Sequence, residues 1–133
     1  MSRQIIFINS VFPCLSETFI FDQFTTLRSG GLSFRIVSNH RPDSSQVHPR
    51  MQSIQSEVDY LCEASLREVF TAHLFCLMRH PWRYLRSLWQ IVRAEEKLKT
   101  SVAHFSGAAL ILKKYRPSGK LHIHTHFTYG GTA

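Results

Sequence analysis

Ile5-Ile6-Phe7-Ile8, followed by Phe12-Pro13-Cys14-Leu15-Ser16-Glu17-Thr18-Phe19-Ile20, is the stretch whose reading decides the fold. A continuous apolar run without alternation fits a strand covered on both faces. Pro13 marks the loop that leaves it. Ser16 can then cap a helix, with Glu17 favourably placed in its first turn. That helix runs to about Ser29, where Gly30-Gly31 stops it as helix C-termini favour. Phe19, Ile20, Gln23, Phe24 and Leu27 lie along one face and are expected to face the core. Ser33 to Ser38 reads as a second strand. Strand, helix and strand in this order form a βαβ unit, which predicts a parallel sheet.

Beyond it, Asn39 to Ser56 is polar and carries Pro42 and Pro49, so it reads as an excursion loop. Val58-Asp59-Tyr60-Leu61 suits a short third strand. Three helical segments follow. In the first, Leu66, Val69, Phe70, His73, Leu74, Leu77 and Met78 keep helical spacing. Pro81 starts the second at a favoured position. There Trp82, Leu85, Leu88, Trp89 and Val92 form a stripe opposed by Arg83, Arg86 and Arg93. The third runs from about Thr100 to Arg116, with Ser106, Gly107, Ala108 and Ala109 small enough for close packing. Leu121 to Phe127 reads as another strand. A buried strand leading into Tyr129-Gly130-Gly131 normally feeds a further helix, so the natural protein is expected to continue past Ala133.

The 133 residues suffice for one domain with a real core, and ten phenylalanines argue for a packed interior. The net charge of +7 favours an anionic partner: nucleic acid, a membrane surface or a phosphorylated substrate. Cys14, Cys62 and Cys76 are odd in number and widely spaced, which suits a reducing cytosol better than a disulfide framework. Each is expected to be a small buried hydrophobe. No apolar run approaches the length of a membrane span.

Three stretches could carry chemistry. Ser16-Glu17-Thr18 follows the first strand, where open parallel sheets bind ligands and a helix offers free N–H groups. The same residues also serve as a plain helix cap. No Gly-rich phosphate fingerprint accompanies them, which argues against a dinucleotide or nucleotide-hydrolase site. His122, His124 and His126 alternate along a strand and so share a face. Three imidazoles could bind zinc, one or two could be structural, or His126, at the strand's carboxyl end, could hydrogen-bond a sugar hydroxyl. The basic aromatic stretch from Arg79 to Arg93, with Trp82 and Trp89, suits an anionic membrane surface or nucleic acid, or a solvated basic face with both tryptophans in the core.

Two of these stretches converge on one resemblance. Phe12-Pro13-x-Leu15-Ser16-Glu17-Thr18-Phe19-Ile20, then Gln23, Leu27 and Gly30, resembles the amino-terminal signature of colanic-acid and exopolysaccharide glycosyltransferases of the retaining family-four group. His124-Thr125-His126-Phe127 resembles the His-Ala-His-Phe segment these enzymes carry later in the same domain. Gly31-Leu32-Ser33 departs from their usual Gly-His-x-Val, and His122 is an additional histidine.

The resemblance implies an α/β fold: a Rossmann-like parallel sheet with flanking helices, the incomplete amino-terminal half of a GT-B fold. It implies that residues 1–133 are the acceptor-side domain and that a donor-binding domain is absent, leaving the fragment inactive alone. It places Ser16, Glu17, Thr18 and His124 against substrate and His126 in the catalytic cleft, with no metal or cofactor. The partners implied are a nucleotide sugar and a saccharide or lipid-linked acceptor, not nucleic acid. A cytoplasmic location, with peripheral membrane contact through Trp82–Trp89, completes the expectation. The rivals are a metal-dependent hydrolase using His122, His124 and His126, and a basic nucleic-acid-binding module.

Overall fold

The computed structural model describes residues 4–15, 18–94, 98–117 and 119–125. They fall into two compact units: one within Met1–Cys62 and Gly119–Ala133, the other within Glu63–Ser118.

The first unit is α/β. Strands β1 (Gln4–Val11), β2 (Arg35–His40), β3 (Val58–Tyr60) and β4 (Leu121–Thr125) form a sheet in the order β3-β2-β1-β4. All three pairings are parallel. Helix α1 (Thr18–Ser29) connects β1 to β2 and lays Ile20 and Phe24, both fully buried, on the face that carries Phe7, Ile36 and Val58. The ring of Phe24 stands edge-on to Phe7 at 4.8 Å and to Phe12 at 5.3 Å. Each such pair adds about 1 kcal/mol beyond area burial. The opposite face holds Ile6 and Val37, also buried, which is why β1 and β2 need apolar residues in succession rather than in alternation.

Phe19 departs from expectation. It is 53% exposed, because the buried face of α1 centres on Ile20, Phe24 and Leu27, leaving Phe19 to one side. The segment expected to be an excursion loop is a second correction. It contains a short helix α2 (Gln52–Gln55), and Val47, Met51 and Ile54 are buried in the same core as Phe24. Three apolar residues separated by polar ones are enough to pull an otherwise polar loop onto a sheet, since each full burial is worth about 2 kcal/mol.

Helix α1 ends at Gly31, where φ is +80°. The Leu32 N–H reaches the Leu27 carbonyl at 3.0 Å and the Gly31 N–H reaches Arg28 at 2.9 Å, which closes the helix end.

The second unit is helical. It comprises α3 (Leu66–Arg79), α4 (Pro81–Arg93) and α5 (Leu98–Tyr115). Ser65 and Glu68 form a reciprocal capping box at the start of α3. The Ser65 N–H and hydroxyl both donate to the Glu68 carboxylate, the N–H foremost, and hold its pKa below the ordinary value. One hydrogen-bonded chain ties the three helices. The Tyr84 hydroxyl meets His73 Nδ1 at 3.1 Å, and His73 Nε2 meets the Ser106 hydroxyl at 2.9 Å. Phe105 lies against both rings.

Here the helical spacing is borne out, and the side that the sequence left open is the outward one. Leu66, Phe70, Leu74, Leu77 and Met78 are exposed, and so are Trp82 and Trp89, at 84% and 62%. No residue of α4 is buried. Periodicity finds a stripe but not the side on which neighbours stand. Within this unit α3 meets its neighbours through His73, Phe75 and Cys76 instead. The cysteines also depart from expectation: Cys62 is exposed, and Cys14 and Cys76 are half-buried. Burial pushes the Cys76 thiol above its ordinary pKa. Among the described residues no helix is long and apolar enough to cross a membrane.

Two outcomes follow. Gly31→Ala meets no atom within 4 Å, so its cost is conformational alone. A loss of about 1 kcal/mol in denaturant unfolding is expected. Glu68 has a depressed folded pKa, so the stabilisation it lends is present above its unfolded value and lost as pH falls through the folded one. Glu68→Gln should remove that acid-side dependence, read as helix α3 hydrogen exchange against pH.

Candidate functional site at the strand switch

From β1 the chain builds β2 and β3 to one side, then returns to the other side of β1 as β4. The direction of strand addition therefore reverses between β1 and β4. In open parallel sheets the crevice beyond the carboxyl ends of two such strands is where ligands bind. This crevice lies within the first unit, and the loop Phe12–Leu15 leaves β1 there.

That loop is held by its backbone. The Phe12 N–H donates to the Ser38 hydroxyl at 3.0 Å, and the Tyr60 hydroxyl donates to the Phe12 carbonyl at 3.0 Å. Ser38 is fully buried, and its one proton has the carbonyls of His40, at 2.8 Å, and Ser10, at 3.3 Å, within reach. Phe12 and Pro13 are buried, and the peptide bond between them is cis. The Arg41 guanidinium stacks 4.4 Å above the Tyr60 ring. Three strands thus position one residue: β1 leads into Phe12, β2 supplies Ser38 and β3 supplies Tyr60. Asn9, 5% exposed, lies opposite Ser38 in the β1–β2 register on the same face.

Past this anchor, Leu15 is half-exposed and Thr18 opens α1 with its side chain exposed. On β4, Thr125 is exposed and lies opposite Ile8. His124 lies opposite Phe7, and its half-buried ring stands edge-on to the Phe7 ring at 5.2 Å. His122 and His124 share a face as the alternation requires, with ring centroids 6.4 Å apart and nearly parallel planes. Thr18, His124 and Thr125 thus belong to the elements that border the crevice. Ser16, Glu17 and His126 lie outside the described residues.

Chemically, this end of the sheet offers exposed hydroxyls and an imidazole on a rigid frame. Such groups hydrogen-bond a hydroxyl-rich ligand. Among the described residues no three His, Cys, Asp or Glu side chains gather closely enough to hold a metal ion. Ser38 and Tyr60 were missed in the sequence, although a signal existed. Each follows an apolar residue two positions earlier on the same strand face, Ile36 and Val58, and a polar group on a buried face needs a partner. No family model, curated protein or solved structure matches the chain.

Ser38→Ala should leave the Phe12 N–H unpaired in the core, and Tyr60→Phe its carbonyl. Each is expected to cost about 1–3 kcal/mol in chemical unfolding. Because both act on one peptide segment, the double variant should lose less than the sum of the single losses.

Proposed function

We propose that this chain is the acceptor-side part of a retaining, GT-B-type glycosyltransferase, acting with a donor-binding domain to extend a surface polysaccharide. The observation that carries this reading is positional. The signature-bearing loop Phe12–Leu15 leaves β1 at the strand switch, next to the strand that carries His124. In this reading Ser16, Glu17, Thr18 and His124 hydrogen-bond the acceptor's hydroxyls, and His126 lines the catalytic cleft. The donor domain stabilises the nucleotide-sugar phosphates. This half fixes the acceptor's approach, which is the larger part of what a non-reacting domain can contribute. Retention of Phe12 by Ser38 and Tyr60 supports the proposal, since a pre-set loop loses little entropy on binding. The enzyme would work at the cytoplasmic side of the membrane on a saccharide or lipid-linked acceptor.

One rival is a metal-dependent hydrolase that would use His122 and His124, which share a face of β4, together with His126. A single set of measurements separates the two. Saturation-transfer NMR with a panel of oligosaccharides should show binding to the wild-type chain. Thr18→Val and His124→Ala should each weaken that binding about fivefold, the worth of one neutral hydrogen bond. The isolated chain should show no transfer from nucleotide sugars. Robust turnover by the chain alone, or stoichiometric zinc that disappears in His124→Ala, would sink the reading.

A further inference from the structure

The helical unit contains a cavity of about 590 Å³, within the size range of small-ligand sites. It opens between α3, α4 and α5, well apart in sequence from the loop Phe12–Leu15. Phe75, Cys76, Tyr84, Phe105 and Ala109 give it apolar walls. Arg79, Arg83 and Arg116 line it as well, and all three are exposed, so their charges stand at its solvent side. Among the described residues no Asp or Glu lines it, and no ion pair involves any of these arginines.

Three guanidiniums beside apolar walls, with no carboxylate lining the cavity among the described residues, suit an anionic ligand. The backbone adds a second observation. Arg116 has φ of +38°, the left-handed region that glycine normally occupies at a helix end. Its guanidinium stands 5.4 Å over the Phe75 ring, at the cavity wall. A residue in a disfavoured conformation is thus placed where its charge meets the cavity.

From these features we propose that the helical unit binds an anionic amphiphile. Its hydrocarbon part fills the cavity, and its phosphate or carboxylate headgroup pairs with Arg79, Arg83 and Arg116. Guanidiniums suit such a headgroup because their paired N–H groups match two oxygens at once. The outer side of α4 points to a bilayer as the source. It turns Arg83, Tyr84 and Ser87 to the cavity and leaves Trp82, Leu85, Trp89 and Val92 exposed. An exposed Trp stripe flanked by Arg86 and Arg93 on an amphipathic helix is the composition of an interfacial helix on anionic lipid. This inference does not rest on the sugar-transfer reading.

Trp82 and Trp89 are the chain's two tryptophans, so selectively excited tryptophan fluorescence reports on α4 alone. Dodecyl phosphate, titrated below its micelle concentration, should give a saturable change. The double variant Arg83→Gln/Arg116→Gln should bind at least about tenfold more weakly, the loss expected for charge-assisted pairs. Ala108→Phe, which fills the cavity, should do the same. If it fails to fold by circular dichroism, the charge variant carries the test. In sedimentation with vesicles, the protein should follow phosphatidylcholine containing phosphatidylglycerol and not phosphatidylcholine alone. Trp82→Ser should weaken that association while keeping dodecyl phosphate affinity. Thr18→Val and His124→Ala should alter neither readout, which separates this proposal from the sugar site. Equal binding of a nonionic dodecyl ether, equal binding of inorganic phosphate, or an unaffected charge variant would overturn the amphiphile site. So would salt-steep binding of duplex DNA without any dodecyl phosphate response. Saturable dodecyl phosphate binding without vesicle association would overturn the bilayer as its source.

Discussion

The two hydrogen bonds that hold the backbone of Phe12 are the constraint on which the sheet unit depends. A loop leaving a buried strand carries amide groups that must find partners or lose stability. Here the N–H finds Ser38 of β2 and the carbonyl finds Tyr60 of β3. These contacts span 26 and 48 positions of sequence, so the loop is correct only when all three strands are in register. A slip of one residue would turn Ser38 and Tyr60 to the other face of the sheet. The pairing of β1 with β2 and β2 with β3 and the burial of Phe12 against Phe24 are therefore one event. The crevice at the strand switch takes its shape from that event.

The helical unit rests on a different device. His73 lies between two hydroxyls, Tyr84 on α4 and Ser106 on α5. Hydroxyls can donate or accept, so this chain closes whichever ring nitrogen carries the proton. Polar contacts, an aromatic cluster and the buried Ala72, Ala109 and Ile111 set the helix positions, while most long apolar side chains of α3 and α4 are exposed. That is the reverse of an ordinary helical bundle, whose stripe is buried. Exposed apolar area on this scale marks a surface that meets something else. Among the described residues the arginines beside the cavity form no ion pair, so this surface is basic.

Much of the local structure was legible. The unbroken apolar run of β1, the Gly30-Gly31 stop, Pro81 at the start of α4 and the alternation of His122 and His124 are each set by neighbours within a few residues. Local sterics and hydrogen bonding decide such features, so spacing and residue type suffice. The burial of Val47, Met51 and Ile54 was not legible, because their separation follows no period and depends on where α1 places Phe24. Whether Trp82 and Trp89 face outward or lie in the core was left open by the sequence, because amphipathicity is symmetric with respect to which side is covered; the structure exposes both.

By itself, then, the sequence determined the order of strands and helices, the parallel βαβ opening, and the chemistry available at the ends of β1 and β4. Dihedral preference, capping and hydrophobic period act along the chain, and they need no distant partner. Only the tertiary structure decided that β4 pairs with β1 rather than β3, which creates the switch, and that Ser38 and Tyr60 both close on Phe12. It alone brought Arg79, Arg83 and Arg116 to one cavity. Those outcomes require segments far apart in sequence to meet, and the free energy that selects among such meetings belongs to packing and pairing rather than to any single stretch of residues.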